Sequence, residues 1–534
     1  MKKIAVLISG AFLMINTAFA GGILTNSNQS AQFVRMLSRN ASTDLDAVYF
    51  NPAGLTQLKN GFYFGLHNQT IFQNRTITSD FPLLNNPEFK GKVTAPAFPT
   101  AFAVYKLDNW AFSAGFGPNA GGGSAKFESG IPSFEKSISA LPMSLTSNGI
   151  PTTNYSVNMQ LEASSVFFGT QLNASYKINE HVSVFGGVRI INAVNTYNGY
   201  IKDIMINPNV PAYGLTGEMI SAPLLFTTLS GLSNKTANDI QPYVTAVPNA
   251  TLPQLVASNQ MSQQTADALA NGLGISSNSN VTIQQIQSGY QAKSAELSKQ
   301  SEATADKAVD TKQTGFGFTP MIGANFHFDK LNISLRYEHM TTLVLTNSTK
   351  KDLIMADGNG LFPDKGKSGS DIPAIIAAGA DYKITNDLKI SGSYTLYMDK
   401  WVGWGNNVYG QHRSIDKNYL ELAFGVQYNL TKKFAISAGY LNSNTGVSKQ
   451  YQSDFSFSND SYTAGLGFQW NINKRLVFDA GMMLTTYKDD TKSFDSSQHF
   501  DTTNTTLIET FGPYTETYAK DTFTFAFGIG YKIF

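Results

Sequence analysis

The C-terminal stretch FTFAFGIGYKIF, Phe523–Phe534, alternates large apolar side chains with small or polar ones. Successive side chains of a β-strand point to opposite faces, so this period of two predicts a strand with one apolar face. The strand is about 10 residues long, which favours a membrane-crossing strand over the shorter strands of a soluble sandwich. The apolar face consists of Phe523, Phe525, Phe527, Ile529 and Tyr531.

The same alternation recurs from about residue 60, for example in LNISLRYEH (331–339), YLELAFGVQYN (419–429) and YTAGLGFQWNI (462–472). Many of these strands end on Tyr, Phe or Trp, as in the aromatic girdles of membrane barrels. Short polar connections alternate with long ones such as 348–370 and 491–517, the pattern of periplasmic turns and extracellular loops. We therefore predict an all-β, antiparallel transmembrane β-barrel of about fourteen strands. The predicted strands are 60–76, 94–107, 109–118, 160–177, 182–197, 314–328, 331–347, 372–384, 388–401, 418–430, 433–444, 461–472, 475–488 and 520–534.

Residues 1–20 have the features of a secretory signal peptide. Lys2 and Lys3 precede a short apolar run, and Ala18-Phe19-Ala20 forms a small-x-small cleavage pattern. The mature chain has neither cysteine nor an apolar run of helical membrane length. A net charge of +1 argues against nucleic acid as a partner. The predicted location is the bacterial cell outer membrane, as a multi-pass barrel over residues 59–534.

One connection, residues 201–312, is far longer than the others. It is rich in Gln, Ser, Ala and Asn, and Thr282 followed by Gln285 matches a capping box. We expect a partly helical extracellular loop. The alternative for 291–312 is disorder, given its low hydrophobicity.

Residues 21–58 precede the first predicted strand. Within them, AVYFNPAGL (47–55) places several large apolar side chains around a proline turn. Leaving these side chains in water would be unfavourable, and the barrel lumen is the enclosed space available. We therefore predict an N-terminal plug, with a loose tail as the alternative.

Three stretches resemble the FadL-type family of long-chain fatty-acid and hydrocarbon outer-membrane transporters: 28–55, 314–338 and 371–401. The family's hatch motif is matched by Asp46, Asn51, Pro52, Ala53 and Gly54. One departure is the C-terminus, where the usual aromatic-x-Phe ending is offset by one residue. The resemblance implies an N-terminal hatch that moves when ligand binds, and a lateral opening toward the membrane. It also implies that Gly21, Ile23 and Leu24 reach the ligand pocket.

A lipid transporter needs an apolar pocket, because a fatty-acid chain gains about 0.8 kcal/mol per CH₂ moved out of water. Alternation places Phe167, Phe185 and Ile191 on inward faces, where they would line a pocket or else pack the plug. A bound carboxylate would need a cationic partner. Arg189 is the first candidate and Arg336 the second, although Glu338 lies on the face of Arg336.

The third predicted strand runs into a glycine-rich segment that carries Gly115, Gly117, Pro118, Gly121 and Gly122. Gly and Pro weaken strand pairing, and unpaired backbone at membrane depth must line a protected or wet cavity. We predict a kink or gap here that serves as the lateral opening. The alternative is an ordinary flexible loop mouth.

The sequence thus predicts passive outer-membrane transport of long-chain fatty acids or other hydrophobic compounds. A general porin for polar solutes is the alternative. The six histidines are scattered singly, so we expect neither a metal site nor an enzyme, and no cofactor. The expected partners are the hydrophobic ligand and outer-membrane lipids, and the expected state is a monomer. An adhesin role for the long loops stays open.

Overall fold

The computed structural model describes residues 25–211, 214–354, 360–402, 415–449, 451–495 and 510–534. Within these ranges fourteen antiparallel strands form the wall of a closed barrel. The wall strands are β1 (Gly61–Ser79), β2 (Glu88–Ala95, continued by Thr100–Leu107), β3 (Trp110–Phe127), β4 (Tyr155–Lys177), β5 (Val182–Ile206), β6 (Lys307–His327), β7 (Leu331–Glu338, continued by Val344–Lys351), β8 (Lys367–Gly369, continued by Ile375–Lys383), β9 (Leu388–Tyr397), β10 (Tyr419–Asn429), β11 (Phe434–Asn444), β12 (Ser461–Asn471), β13 (Leu476–Tyr487, continued by Asp490–Phe494) and β14 (Tyr514–Lys532).

The barrel closes between its first and last strands. β1 pairs with β14 from Tyr63 opposite Lys532 to Ser79 opposite Glu516. The predicted all-β barrel and its strand number are confirmed. Several strands extend beyond their predicted ends. β3 continues to Phe127, β5 continues to Ile206, and β6 already begins at Lys307. The long connection between β5 and β6 is therefore shorter than the predicted 201–312.

The two faces of the wall differ as the alternation predicts. On β7, Leu335 and Tyr337 are exposed on the outside, whereas Ser334, Arg336 and Glu338 are buried on the inside. The apolar face of β14 is exposed in the same way. With every strand paired around the circle, this outer surface matches the requirements of lipid.

The N-terminal segment, residues 25–58, contains α1 (Ala31–Met36), α2 (Ala47–Phe50) and a 3-10 helix (Pro52–Gln57). Ser30 caps α1 by accepting a hydrogen bond from the backbone N–H of Phe33 at 2.9 Å. Apolar side chains of the segment form one buried cluster with inward-facing wall residues. The cluster includes Phe33, Val34, Leu37, Val48, Phe50, Phe102, Val104, Leu441 and Met483.

Wall glycines allow α1 to approach the sheet closely. A Cβ on Gly439 would lie 1.9 Å from the carbonyl oxygen of Met36, and one on Gly465 would lie 2.5 Å from that of Val34. The small inner faces of β11 and β12 therefore match the packed helix. The main buried core lies between the N-terminal segment and the wall.

The chain divides into two compact units, one of which comprises residues 136–158 and 201–307 among those described. The loop between β3 and β4 contains α3 (Pro132–Ser139) and α4 (Leu141–Ser147). The longer connection between β5 and β6 contains α5 (Ala222–Asp239), α6 (Gln241–Ala246), α7 (Leu252–Ala257), α8 (Gln263–Gly272) and α9 (Ile283–Thr304). α9 begins with the Thr282–Gln285 capping box and includes 291–304. The unit has its own apolar cluster around Leu252, Ile283 and Ile286. Among the described helices, none is both long enough and apolar enough to cross a bilayer.

Candidate functional site

The Asn-Pro-Ala-Gly turn joins two parts of the N-terminal segment to the wall. Asn51 donates from Nδ2 to the backbone carbonyl of Ser42 at 3.0 Å and to Asn325 Oδ1 on β6 at 2.7 Å. Pro52 starts the 3-10 helix and Ala53 is fully buried. A Cβ on Gly54 would lie 2.6 Å from the Ser42 carbonyl oxygen, so the turn accepts only glycine without a shift.

A charged network lies inside the N-terminal segment. The Arg39 guanidinium contacts Asp44 at 2.6 Å and Asp46 at 2.8 Å, and Asp46 also accepts from the Ser30 and Ser42 hydroxyls. Burial alone would raise the pKa of Asp44, but Arg39 and then Lys389 hold it well below its usual value. These ion pairs fix the fold of the segment.

A second ion pair joins the segment to the wall. Arg35 on α1 donates from Nε to Asp479 on β13 at 2.9 Å, and both side chains are fully buried. The same guanidinium donates to Gln427 and Ser437, and Gln32 donates to the other oxygen of Asp479 at 2.7 Å. Arg35 therefore fixes α1 against three wall strands.

The wall has a gap in its hydrogen-bond ladder between β2 and β3. Pairing runs from Leu107–Trp110 to Ala101–Phe116, stops, and resumes only at Val93–Ala125. Residues 117–124 of β3 consequently have no partner on β2. On its other side, β3 shifts register against β4 twice, between Pro118 and Ala120 and again between Ala120 and Gly123.

Residues of the N-terminal segment form hydrogen bonds with backbone groups of β3 inside the gap. Thr25 bridges to Ala120, and the Asn26 N–H donates to the Asn119 carbonyl at 2.8 Å. The Asn26 side chain donates to the Gly121 carbonyl at 2.9 Å, and Gln29 donates to that of Pro118 at 2.8 Å. A displaced N-terminal segment would leave these carbonyls free.

A cavity of about 240 Å³ adjoins this gap. Residues 25–28 of the N-terminal segment and 121–123 of β3 form one part of its lining. Apolar side chains such as Phe33, Leu441 and Met483 line another part, alongside many hydroxyls. The cavity therefore has both apolar and polar walls.

Comparison with protein-family models and with curated proteins found no match. Among solved structures, a FadL homologue from Pseudomonas aeruginosa superposes with a TM-score of 0.57 at 13% identity, over 96% of this chain and 100% of that chain. The chain has the FadL-type fold. The Pseudomonas putida toluene transporter TodX and the Ralstonia pickettii toluene transporter TbuX match over 92% and 91% of this chain and 95% and 93% of theirs, at 11% and 12% identity with TM-scores of 0.48 and 0.45. A closed FadL-type barrel with an apolar outer surface is a bacterial outer-membrane protein.

Within this FadL-type barrel, the two predicted carboxylate partners hold a carboxylate of the wall. Arg189 contacts Glu338 at 2.6 Å, and Arg336 contacts the same carboxylate at 3.2 Å. Both guanidiniums also lie over the ring of Tyr49, and Arg336 donates to the Tyr49 carbonyl. The two arginines thus hold α2 in place, and neither lines the 240 Å³ cavity.

The predicted apolar ligand residues are buried in other packing clusters of the FadL-type lumen. Phe167 and Ile191 pack together in one cluster, and Phe185 packs against Ala53 in another. None of the three lines the cavity at the gap. Gly21, Ile23 and Leu24 lie outside the described residues.

The predicted opening residues divide between the gap and its margin. Gly115 is paired with Phe102 on β2, whereas Gly117, Pro118, Gly121 and Gly122 lie in the stretch that has no partner on β2. On the β4 side, Gly117 and Pro118 keep their partners, and Gly121 and Gly122 lie at the register shift. β3 continues through this stretch to Phe127. Gly121 has a φ of 97°, a conformation that glycine adopts readily.

Sequence reasoning missed two cations near the cavity, Arg75 and Lys520. They are direct cross-strand partners on β1 and β14. Alternation on β1 and β14 places both on the inward face, so the signal was present in the sequence. Their proximity depends on closure of the barrel between its first and last strands.

Proposed function

We propose that this protein transports hydrophobic compounds, including long-chain fatty acids, passively across the outer membrane. The ligand enters the cavity beside the N-terminal segment, the segment moves as a hatch, and the ligand leaves sideways between β2 and β3. The observation that carries the proposal is the ladder gap at 117–124, where the carbonyls of Pro118, Asn119 and Gly121 accept hydrogen bonds from the N-terminal segment.

Physical chemistry supports a sideways exit for an apolar ligand. Backbone without partners is unfavourable against lipid, so a gap at this depth must line a cavity or be covered from within. Asn26 and Gln29 provide that cover. Their movement would join the cavity to the membrane, where an apolar chain has no need to pass through water.

The size of the cavity supports hatch movement. About 240 Å³ is somewhat below the roughly 300–1,000 Å³ of typical small-molecule sites. A long acyl chain therefore needs more space than the cavity offers while residues 25–28 form its wall. Ligand binding and displacement of these residues would be coupled.

The test compares uptake of labelled oleate and of a sugar in cells or proteoliposomes that carry the full chain. We expect oleate uptake that disappears when residues 21–58 are deleted, and little sugar flux through the intact protein. Sugar flux without oleate uptake would support the porin alternative and contradict the proposal.

A further inference from the structure

Two cations face each other at the cavity beside the gap. Arg75 on β1 and Lys520 on β14 are direct cross-strand partners, and Lys520 lines the cavity. The Arg75 guanidinium reaches the register shift of β3, since a Cβ on Gly122 would lie 3.3 Å from its Nη2. The pair therefore lies where the cavity meets the opening.

The described part of the chain provides no carboxylate ion pair for either cation. Arg75 donates to Gln73 Oε1 at 2.8 Å, and Gln73 in turn donates to Thr522. Like charges directly opposite each other destabilise a strand pair. Such a pair costs stability unless an anion joins it.

Aromatic rings hold the cations in place without neutralising them. The Lys520 ammonium lies 4.5 Å from the ring centre of Tyr487 and 5.7 Å from that of Phe457. The Arg75 guanidinium lies 5.8 Å from the same Phe457 ring. Cation–π contacts orient a charged group but supply no counter-charge.

Among the described residues that line the cavity, the one carboxylate is already engaged. Glu421 accepts hydrogen bonds from the phenols of Tyr397 at 2.8 Å and Tyr419 at 3.0 Å. It lies on β10, whereas the two cations lie on β1 and β14. An incoming anion therefore finds Lys520 and apolar surface from Ile71 and Val93 in the cavity lining. Arg75 does not line the cavity itself but lies directly opposite Lys520 on the neighbouring strand.

We infer that Arg75 and Lys520 bind the carboxylate head group of a single-chain amphiphile whose tail lies on the apolar part of the cavity. This inference rests on the proposed function and narrows its substrate class, because an uncharged hydrocarbon would make no use of the pair. Two charge-assisted contacts from adjacent strands would orient the head group toward the register shift of β3 at 118–123.

The experiment measures binding of dodecanoate and of 1-dodecanol to the full chain in a non-ionic detergent by titration calorimetry. The variants are Lys520→Gln, Arg75→Gln and, as a matched control, Lys532→Gln. Lys532 is on the same strand and lies 5.3 Å from the Tyr63 ring, but it does not line the cavity. A difference in electrophoretic mobility between heated and unheated samples verifies that the barrel of each variant is folded.

We expect Lys520→Gln and Arg75→Gln each to weaken dodecanoate binding roughly tenfold or more while dodecanol binding and Lys532→Gln stay unchanged. Equal binding of dodecanoate by all variants, or equal weakening of acid and alcohol, would overturn the inference and leave the transport proposal standing. Failure of the unmodified protein to bind either compound would overturn both.

Discussion

Gly54 illustrates how tightly the N-terminal segment is built at the level of single residues. A methyl group there would lie 2.5 Å from Asn51 Nδ2 and 2.6 Å from the Ser42 carbonyl oxygen. We expect Gly54→Ala to lower the free energy of unfolding by about 1–3 kcal/mol, the usual cost of overpacking. Urea denaturation measures this free energy of unfolding. Gly392→Ala is the control, because a Cβ at Gly392 meets nothing within 4 Å. Equal midpoints for the two variants would contradict the tight turn.

The Arg35–Asp479 pair is the buried charge contact that joins α1 to the wall. Asp479→Ala would leave the fully buried Arg35 without its carboxylate, at a cost of about 3–5 kcal/mol. We expect the N-terminal segment to loosen and ion conductance in planar bilayers to rise. Asp239→Ala is the control, because its pair with Lys235 is mostly exposed and contributes at most about 1 kcal/mol. Unchanged conductance in Asp479→Ala would show that Arg35 is not what closes the lumen.

The arginines also show what residue-level sequence reasoning could and could not predict. Alternation placed Arg189 and Arg336 on inward faces, and the structure agrees. The shared face of one strand already pointed to Glu338 as a partner of Arg336, whereas Glu338 reaches Arg189 only across strands that lie far apart in the sequence. The pattern of charges along one strand shows which of its side chains face the lumen. The ion-pair partner on another strand depends on how the barrel closes.

At the scale of elements, the gap between β2 and β3 can be closed by a disulfide. A Cβ on Gly123 would lie 3.9 Å from that of Ala95, within the roughly 3.5–4.5 Å that a disulfide spans. The natural chain has no cysteine, so only the introduced pair would react. We expect Ala95→Cys with Gly123→Cys to take up less oleate when oxidised and to recover on reduction.

The matched control for this disulfide lies on the same two strands. Ala103 and Ala114 are cross-strand partners where β2 and β3 are already paired. Ala103→Cys with Ala114→Cys should form a bond that leaves uptake unchanged. If the bond at 95 and 123 also left uptake unchanged while fully oxidised, exit between β2 and β3 would be ruled out.

The ends of the strands were predicted more accurately for the membrane-crossing parts of the barrel than for the parts that extend beyond the membrane. Lipid on one side imposes alternation, so the ends of β11 and β12 differ from prediction by no more than a residue. The upper part of β2, Glu88–Lys92, has charged instead of apolar side chains on its outer face, and the upper part of β3 contains a glycine run, so both were missed. The cavity was missed because its lining combines residues between 25 and 123 with residues between 419 and 524, which are far apart in the sequence.

At the scale of the molecule, the helical connection between β5 and β6 has an apolar core of its own, and the cavity lining lies entirely outside it. The strand ends beside the connection are close together, because the backbone N–H of Asp203 donates to the Asp306 carboxylate at 3.0 Å. A short glycine-rich turn can therefore replace residues 207–305 without straining β5 or β6.

We expect this shortened protein to form a barrel that still shifts on heating in gel electrophoresis and still binds dodecanoate within about twofold of the full chain, since it keeps every residue that lines the cavity. Calorimetry in the same non-ionic detergent makes the comparison. The deletion of residues 21–58 is the contrasting variant, because it removes part of the lining and should abolish binding. A folded but non-binding shortened barrel would place part of the ligand site in the helical connection and contradict a site confined to the lumen.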